Sequence, residues 1–208
     1  MRLSAYAFAL ETDRLIEGLT REEFHLRKGN GKVLQEEWYP IARLGLHLKH
    51  PGLNVQVEAF GDKGAADGHI VESGYLEREF DVQVTYVHDY EESLRREMML
   101  QVGFAPGAGP IVRNRKKGTI DATLTVVDSD YYVRRAAKEI VQRFEAKKIM
   151  PYRTKTILLI AFEELSFSGR GDWANLFHLI DQQAALGSSN FKCVYILNCA
   201  SNEIARAA

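Results

Sequence analysis

Residues 62–86 read "DKGAADGHIVESGYLEREFDVQVTY" and hold two short runs of strand character separated by turn residues. "FDVQVTYV" alternates with period two, so Phe80, Val82 and Val84 share one face and Asp81, Gln83 and Thr85 the other. "GDKGAADG" reads as a turn, "HIVES" as a short strand and "GYLERE" as a second turn, which makes the stretch an antiparallel hairpin. Before it, "PGLNVQVEAF" alternates Leu53, Val55 and Val57 against polar neighbours and adds a strand. Further back, "VLQEEWYPIARLGLHLKH" has helical spacing through Leu34, Trp38, Ile41, Leu44 and Leu48; Pro40 kinks this helix or starts its second half. Residues 4–27 predict one or two short helices, and "RKGNGK" a loop.

On the C-terminal side, "DYEESLRREMMLQVGF" predicts a helix with Leu94, Met98 and Val102 on one face. Asp89 and Glu92 form its capping box and Gly103 its stop. "APGAGPIVRNRKKG" is a Gly/Pro loop that turns basic, and "TIDATLTVV" is strand-like. "SDYYVRRAAKEIVQRFEAKKI" is a helix capped by Ser129 or Asp130, and "GDWANLFHLIDQQAAL" an amphipathic helix ending at Gly187. "KTILLIAF" and "FKCVYILN" are apolar runs of strand length, as expected of strands buried on both faces. Antiparallel hairpins first and helix-linked, parallel strands last predict an α/β fold: one mixed central sheet with helices on both faces. The expected organisation is an N-terminal helical extension, residues 1–33, and an α/β domain, residues 34–208.

The chain has 208 residues, 46% hydrophobic and 26% charged, enough for one domain with a sizeable core. A net charge of −1 gives no overall pull toward nucleic acid, so any such affinity must come from local basic patches. Cys193 and Cys199 form no CxxC pair, which argues against a zinc ribbon or disulfide scaffold and fits a reducing, cytoplasmic setting. Glu11 and Asp13 interrupt the early apolar stretch, and no run approaches membrane-spanning length, so no membrane partner is expected. The six histidines show no HxH or HExxH spacing, and His88 reads as a turn residue. "GDKGAADG" lacks the GKS/T ending of a phosphate loop, and "SFSG" (166–169) lacks the spacing of a hydrolase nucleophile.

Asp67 opens one strand of the hairpin and Asp81 lies in the next. Carboxylates held together on adjacent strands repel unless a cation lies between them. Asp67, Asp81, the Val82 carbonyl and water would make an all-oxygen site of the kind Mg²⁺ prefers, with Gln83 pointing into it to position water. The plain alternative is a solvated sheet face.

The pattern "ADGHI…FDVQVT", followed by a helix bearing Arg95 and Arg96, resembles the PD-(D/E)xK nuclease superfamily, which includes many restriction and repair endonucleases. The resemblance implies a mixed sheet flanked by helices, with Asp67 matching the first acid and Asp81 the acid of the second half-motif. Gln83 stands where lysine is usual, as in a minority of active members or in a decayed site. Glu36 or Glu37 in "LQEEW" matches a further acid, and Glu58 is another candidate. So read, the chain is a metal-dependent endonuclease acting on DNA, or on RNA, with Mg²⁺ as cofactor and Mn²⁺ as its substitute. Arg95 or Arg96 would reach the scissile phosphate, and Arg113, Arg115, Lys116 and Lys117 of the "RNRKK" loop would contact the backbone. The lack of a second DNA-reading domain suggests a homodimer or larger complex. Two alternatives stand beside this reading: a catalytically decayed module of the same fold that binds nucleic acid or a protein partner, and an α/β domain in which these residues are plain surface.

Overall fold

The computed structural model describes residues 2–61, 65–87, 90–153, 155–167 and 169–208. Strand β1 (Leu3–Ser4) runs directly into α1 (Ala5–Glu17), where the Ser4 hydroxyl accepts the Ala7 N–H as an N-cap. A capping box of Thr20 and Glu23 starts α2 (Arg21–Leu26), and Arg27, in the left-handed region at φ 48°, ends it. Helix α3 (Asn30–Val33), a π-helical turn (Leu34–Trp38) and α4 (Tyr39–His47) then follow without a break. Helix thus begins inside "RKGNGK", which sequence alone reads as loop. The wide turn sits where the Pro40 ring would meet the carbonyl of Glu36 in a regular α-helix, and Pro40 starts α4.

Strands β2 (Leu53–Ala59), β3 (Gly68–Gly74) and β4 (Arg78–Tyr86) form an antiparallel meander. Next come α5 (Tyr90–Val102), β5 (Ile111–Asn114), β6 (Thr119–Ala122) and α6 (Ser129–Lys148). The chain closes with β7 (Thr156–Phe162), α7 (Arg170–Gln183), β8 (Cys193–Asn198) and β9 (Glu203–Arg206). The central sheet has the order β1-β2-β3-β4-β7-β8-β9. It is mixed: β4, β7 and β8 are parallel, and every other neighbouring pair is antiparallel.

Helices α1 and α4 cover one face, packing Phe8, Ile41 and Leu44 on Val57, Val82 and Leu159. Helices α6 and α7 cover the other, packing Ile140, Phe144 and Leu176 on Leu158, Ile160 and Val194. Every residue of β7 and β8 is buried, which explains why both read as unbroken apolar runs. Residues Leu3–Ala9, expected as part of an extension, are joined to this body: β1 pairs with β2, and α1 lies in the core of the first face.

Several local expectations are corrected. "TIDATLTVV" adds no strand to the central sheet: only Thr119–Ala122 is strand, paired with β5 in a separate two-stranded ribbon. "RNRKK" is therefore the end of β5 and the tip of a hairpin, not a free loop. The cap position of α6 is Asp128, whose carboxylate accepts from Arg134 at 2.9 Å. Helix α7 ends at Gln183 because Ala184 turns extended. On α5 the buried residues are Leu94 and Arg95, while Val102 is exposed. Asp89 and His88, residues 62–64 of the first turn and Ser168 of "SFSG" lie outside the described residues. Among those described, no helix is long and apolar enough to cross a membrane.

Candidate functional site: a carboxylate face on β3 and β4

The β3–β4 ladder pairs Gly68 with Val82 and His69 with Asp81. One step further the Asp67 N–H donates to the Val82 carbonyl at 2.9 Å, so Asp67 comes opposite Gln83. Asp67, His69, Asp81 and Gln83 consequently project from one face. It is the α6/α7 face, since Gln83 is in register with Leu158 of that core. Asp67 and Asp81 are diagonal neighbours on adjoining strands, about 7 Å apart at Cβ by sheet geometry.

The Asp67 side chain extends the ladder where backbone pairing stops. Its Oδ2 accepts the Val84 N–H at 2.7 Å and also the Gln83 amide. Burial raises the Asp67 carboxyl above its usual range; the Val84 N–H, the charge of Lys147 and the Gln83 amide pull it down without cancelling that effect. Asp81 Oδ1 lies 3.1 Å from His69 Nδ1, and Oδ2 lies 3.7 Å from Arg153. Glu79 approaches the other His69 nitrogen at 3.9 Å and pairs with Lys155 at 3.2 Å. Asp81 stands where two clefts of about 430 and 420 Å³ adjoin, the first lined with Arg153 and Lys155, the second with Phe60 and Tyr152. Solvent and solutes therefore reach this carboxylate.

Among the described residues no three His, Cys, Asp or Glu side chains form a group that could hold a metal ion. The Val82 carbonyl already accepts the Asp67 N–H. What remains is a pair of half-buried carboxylates on one face. That pair does not suit a closed cage.

The structure separates the further candidates. Glu36 is buried on the π-helical turn with its Oε1 3.6 Å from Arg27 Nη1, on the α1/α4 side of the sheet and not beside Asp67. Glu37 follows it on the same turn, half-buried. Glu58 pairs in register with His69, so it stands on the carboxylate face, in one row with His69 and Asp81.

Of the cations read as nucleic-acid contacts, Arg95 is buried and donates to the Pro106 carbonyl at 3.0 Å and the Gly109 carbonyl at 2.7 Å, holding the turn after α5. Arg96 is half-buried nearby. Arg113 forks onto both carboxylate oxygens of Glu97. Arg115, Lys116 and Lys117 are exposed at the hairpin tip, where Asn114 Oδ1 accepts the Lys117 N–H and Gly118 takes φ 67°. His69 was open to the sequence, two residues beyond Asp67 on the same strand. Lys147 and Arg153 carry no such signal, because the packing of α6 and the approach to β7 bring them here.

No family model matches the chain, and neither the curated proteins nor the solved structures contain a match.

Proposed function

We propose that the protein is a Mg²⁺-dependent nuclease of the PD-(D/E)xK kind that hydrolyses phosphodiester bonds in DNA. The observation that carries this reading is the shared face: Asp67 at the head of β3 and Asp81 and Gln83 on β4. The sheet is compatible with it, since the resemblance implies a mixed sheet flanked by helices and the central sheet is mixed.

In this reading Asp67 and Asp81 would hold the ion, and Glu58 stands in the row beside them. When bound, the ion stabilises charge developing on the phosphate and lowers the pKa of a water. The Gln83 amide nitrogen is committed to Asp67 and the Val84 carbonyl, which leaves its carbonyl oxygen to orient the attacking water. Lys147 of α6, whose charge lowers the Asp67 carboxyl, would supply the positive charge that Gln83 does not. Arg153 and Lys155, at the mouth beside Asp81, suit the entering phosphate backbone.

One observation favours a second reading, the binding module without catalysis. Each acid already has its own donors: Val84 and Gln83 for Asp67, His69 and Arg153 for Asp81. The two carboxylates are thus tolerated without an ion.

Plasmid nicking and cleavage of linear and branched DNA with Mg²⁺ or Mn²⁺ separates the two. The expected result is metal-dependent cutting that Asp67→Asn and Asp81→Asn each reduce about a hundredfold or more, in proteins that still melt cooperatively. Full activity in a folded Asp81→Asn protein would sink the nuclease mechanism. Salt-dependent DNA binding without cutting would establish the second reading in its place.

A further inference from the structure

The two clefts that adjoin at Asp81 differ in chemistry. That of about 430 Å³ is charged, with His69, Glu79, Arg153 and Lys155 in its lining. That of about 420 Å³ shares Asp81 and Arg153 with it but is otherwise largely apolar, with Phe60, Pro151 and Tyr152 among the residues that line it.

The sheet places both rings. The Phe60 N–H donates to the Asp67 carbonyl at 2.8 Å and continues the β2–β3 ladder, so Phe60 comes opposite Asp67 and projects from the carboxylate face. Phe60 is half-buried and belongs to neither of the two helix-covered cores. Tyr152 lies on the connection from α6 to β7, half-buried, its ring centroid 5.1 Å from that of Phe191. That ring pair fixes its position. Thr156, four residues on, is in register with Asp81, which brings this connection to the same carboxylate. Arg153 faces Asp81 at 3.7 Å and Lys155 pairs with Glu79 at 3.2 Å, and every form of DNA offers these cations the same phosphates. What distinguishes one form from another is the aromatic cleft.

We propose that the substrate of the Asp67 and Asp81 site is single-stranded DNA, with the base beside the scissile phosphate held in the cleft of Phe60 and Tyr152. In a duplex the bases are paired and stacked inside, so a phosphate brought to Asp81 leaves this cleft unfilled. An unpaired nucleotide turns its base into the cleft and stacks on a ring. A volume of about 420 Å³ lies in the range of small-ligand sites and has room for one base. The cut rests on the nuclease reading; the base site is measurable without any cut.

The test is fluorescence titration of labelled DNA with the full-length Asp81→Asn chain in EDTA, where the proposed mechanism cannot cut and one carboxylate no longer repels phosphate. The probes are a short oligothymidylate, a strand of the same length made of abasic residues, and a blunt duplex. The oligothymidylate should bind about tenfold or more tighter than either of the others, because the abasic strand has the charge without the bases and the duplex hides them. Phe60→Leu and Tyr152→Leu, each made in the same background, should weaken the oligothymidylate about tenfold and leave the abasic strand unchanged, while Tyr152→Phe keeps the affinity. Leucine keeps apolar volume at both positions, so the melting profile should hold. Equal affinity for the abasic strand or the duplex overturns the proposal, and so do folded leucine variants that bind like their parent. Mg²⁺-dependent cutting by the wild type is scored separately on the oligothymidylate and the duplex. Cutting with no preference for the single strand overturns the proposal while the nuclease stands. Base-selective binding with no cutting of any DNA removes the nuclease reading, and the cut with it, and supports the cleft as the base site of the binding module.

Discussion

Burial pushes the Asp67 carboxyl up, and that has a consequence for pH. A carboxyl whose folded-state pKa is raised binds its proton more tightly folded than unfolded. Its contribution to stability is complete below the unfolded pKa and is lost as pH rises through the folded value. Asp67→Asn removes this loss and keeps an oxygen to accept the Val84 N–H and the Gln83 amide. Thermal melts should therefore show the variant above the wild type at about pH 7, with the gap shrinking toward about pH 4. A gap of the same size at both would mean that the ionised carboxylate is not the cause. Period-two alternation makes the common face of Asp81 and Gln83 legible in the sequence. What it does not reveal is that the Asp67 carboxylate continues the ladder beyond Gly68, because a side chain standing in for a backbone acceptor leaves no periodic trace.

Strand β3 begins at a glycine for a reason that lies in α4. A Cβ on Gly68 would stand 2.9 Å from the Glu58 carbonyl and 2.9 Å from Ile41 Cδ1, so helix and neighbouring strand both close on that point. Gly68→Ala should cost about 1–3 kcal/mol in chemical denaturation and shift Asp67, lowering any cleavage with it. An alanine variant as stable as wild type would show that α4 yields easily. The β5–β6 ribbon invites a different measurement. Because Glu97 occupies Arg113, phosphate contacts fall to Arg115, Lys116 and Lys117 at the tip. If the protein binds DNA through this hairpin, replacing those three by Ala should reduce the slope of log affinity against log salt by about three, and Arg113→Ala should change it less. An unchanged slope in the triple variant removes the hairpin from the interface. The turn residues Asn114 and Gly118 mark this hairpin in the sequence, but the neighbouring "TLTVV" has the alternation of a sheet strand and obscures where pairing stops. Strands β1 and β9 escape sequence reading for a simpler reason: two and four residues are too few to display a period.

Across the whole molecule, Arg27 joins the N-terminal helices to the sheet, since Glu36, Tyr86 and Glu163 all meet its guanidinium. Arg27→Met should lower the unfolding free energy by about 3 kcal/mol, because one charge of a buried cluster disappears while its carboxylates stay. Denaturant melts would show this, and a loss well under 1 kcal/mol would mean that the two parts are held by apolar packing alone. The fold class is legible because β7 and β8 are long apolar runs and the meander alternates cleanly. The Arg27 cluster is not, because its members are far apart in the chain and each reads singly as surface charge. The strand order also dictates an order of assembly. Strands β2, β3 and β4 are consecutive and joined by short turns, whereas β4 must wait for β7 across about 70 residues, a far larger loop to close. Pulse-labelled hydrogen exchange during refolding should then find the Val84 amide protected before the amides of β7. Asp67 and Asp81 would meet in a half-built protein, before β7 and β8 join the sheet.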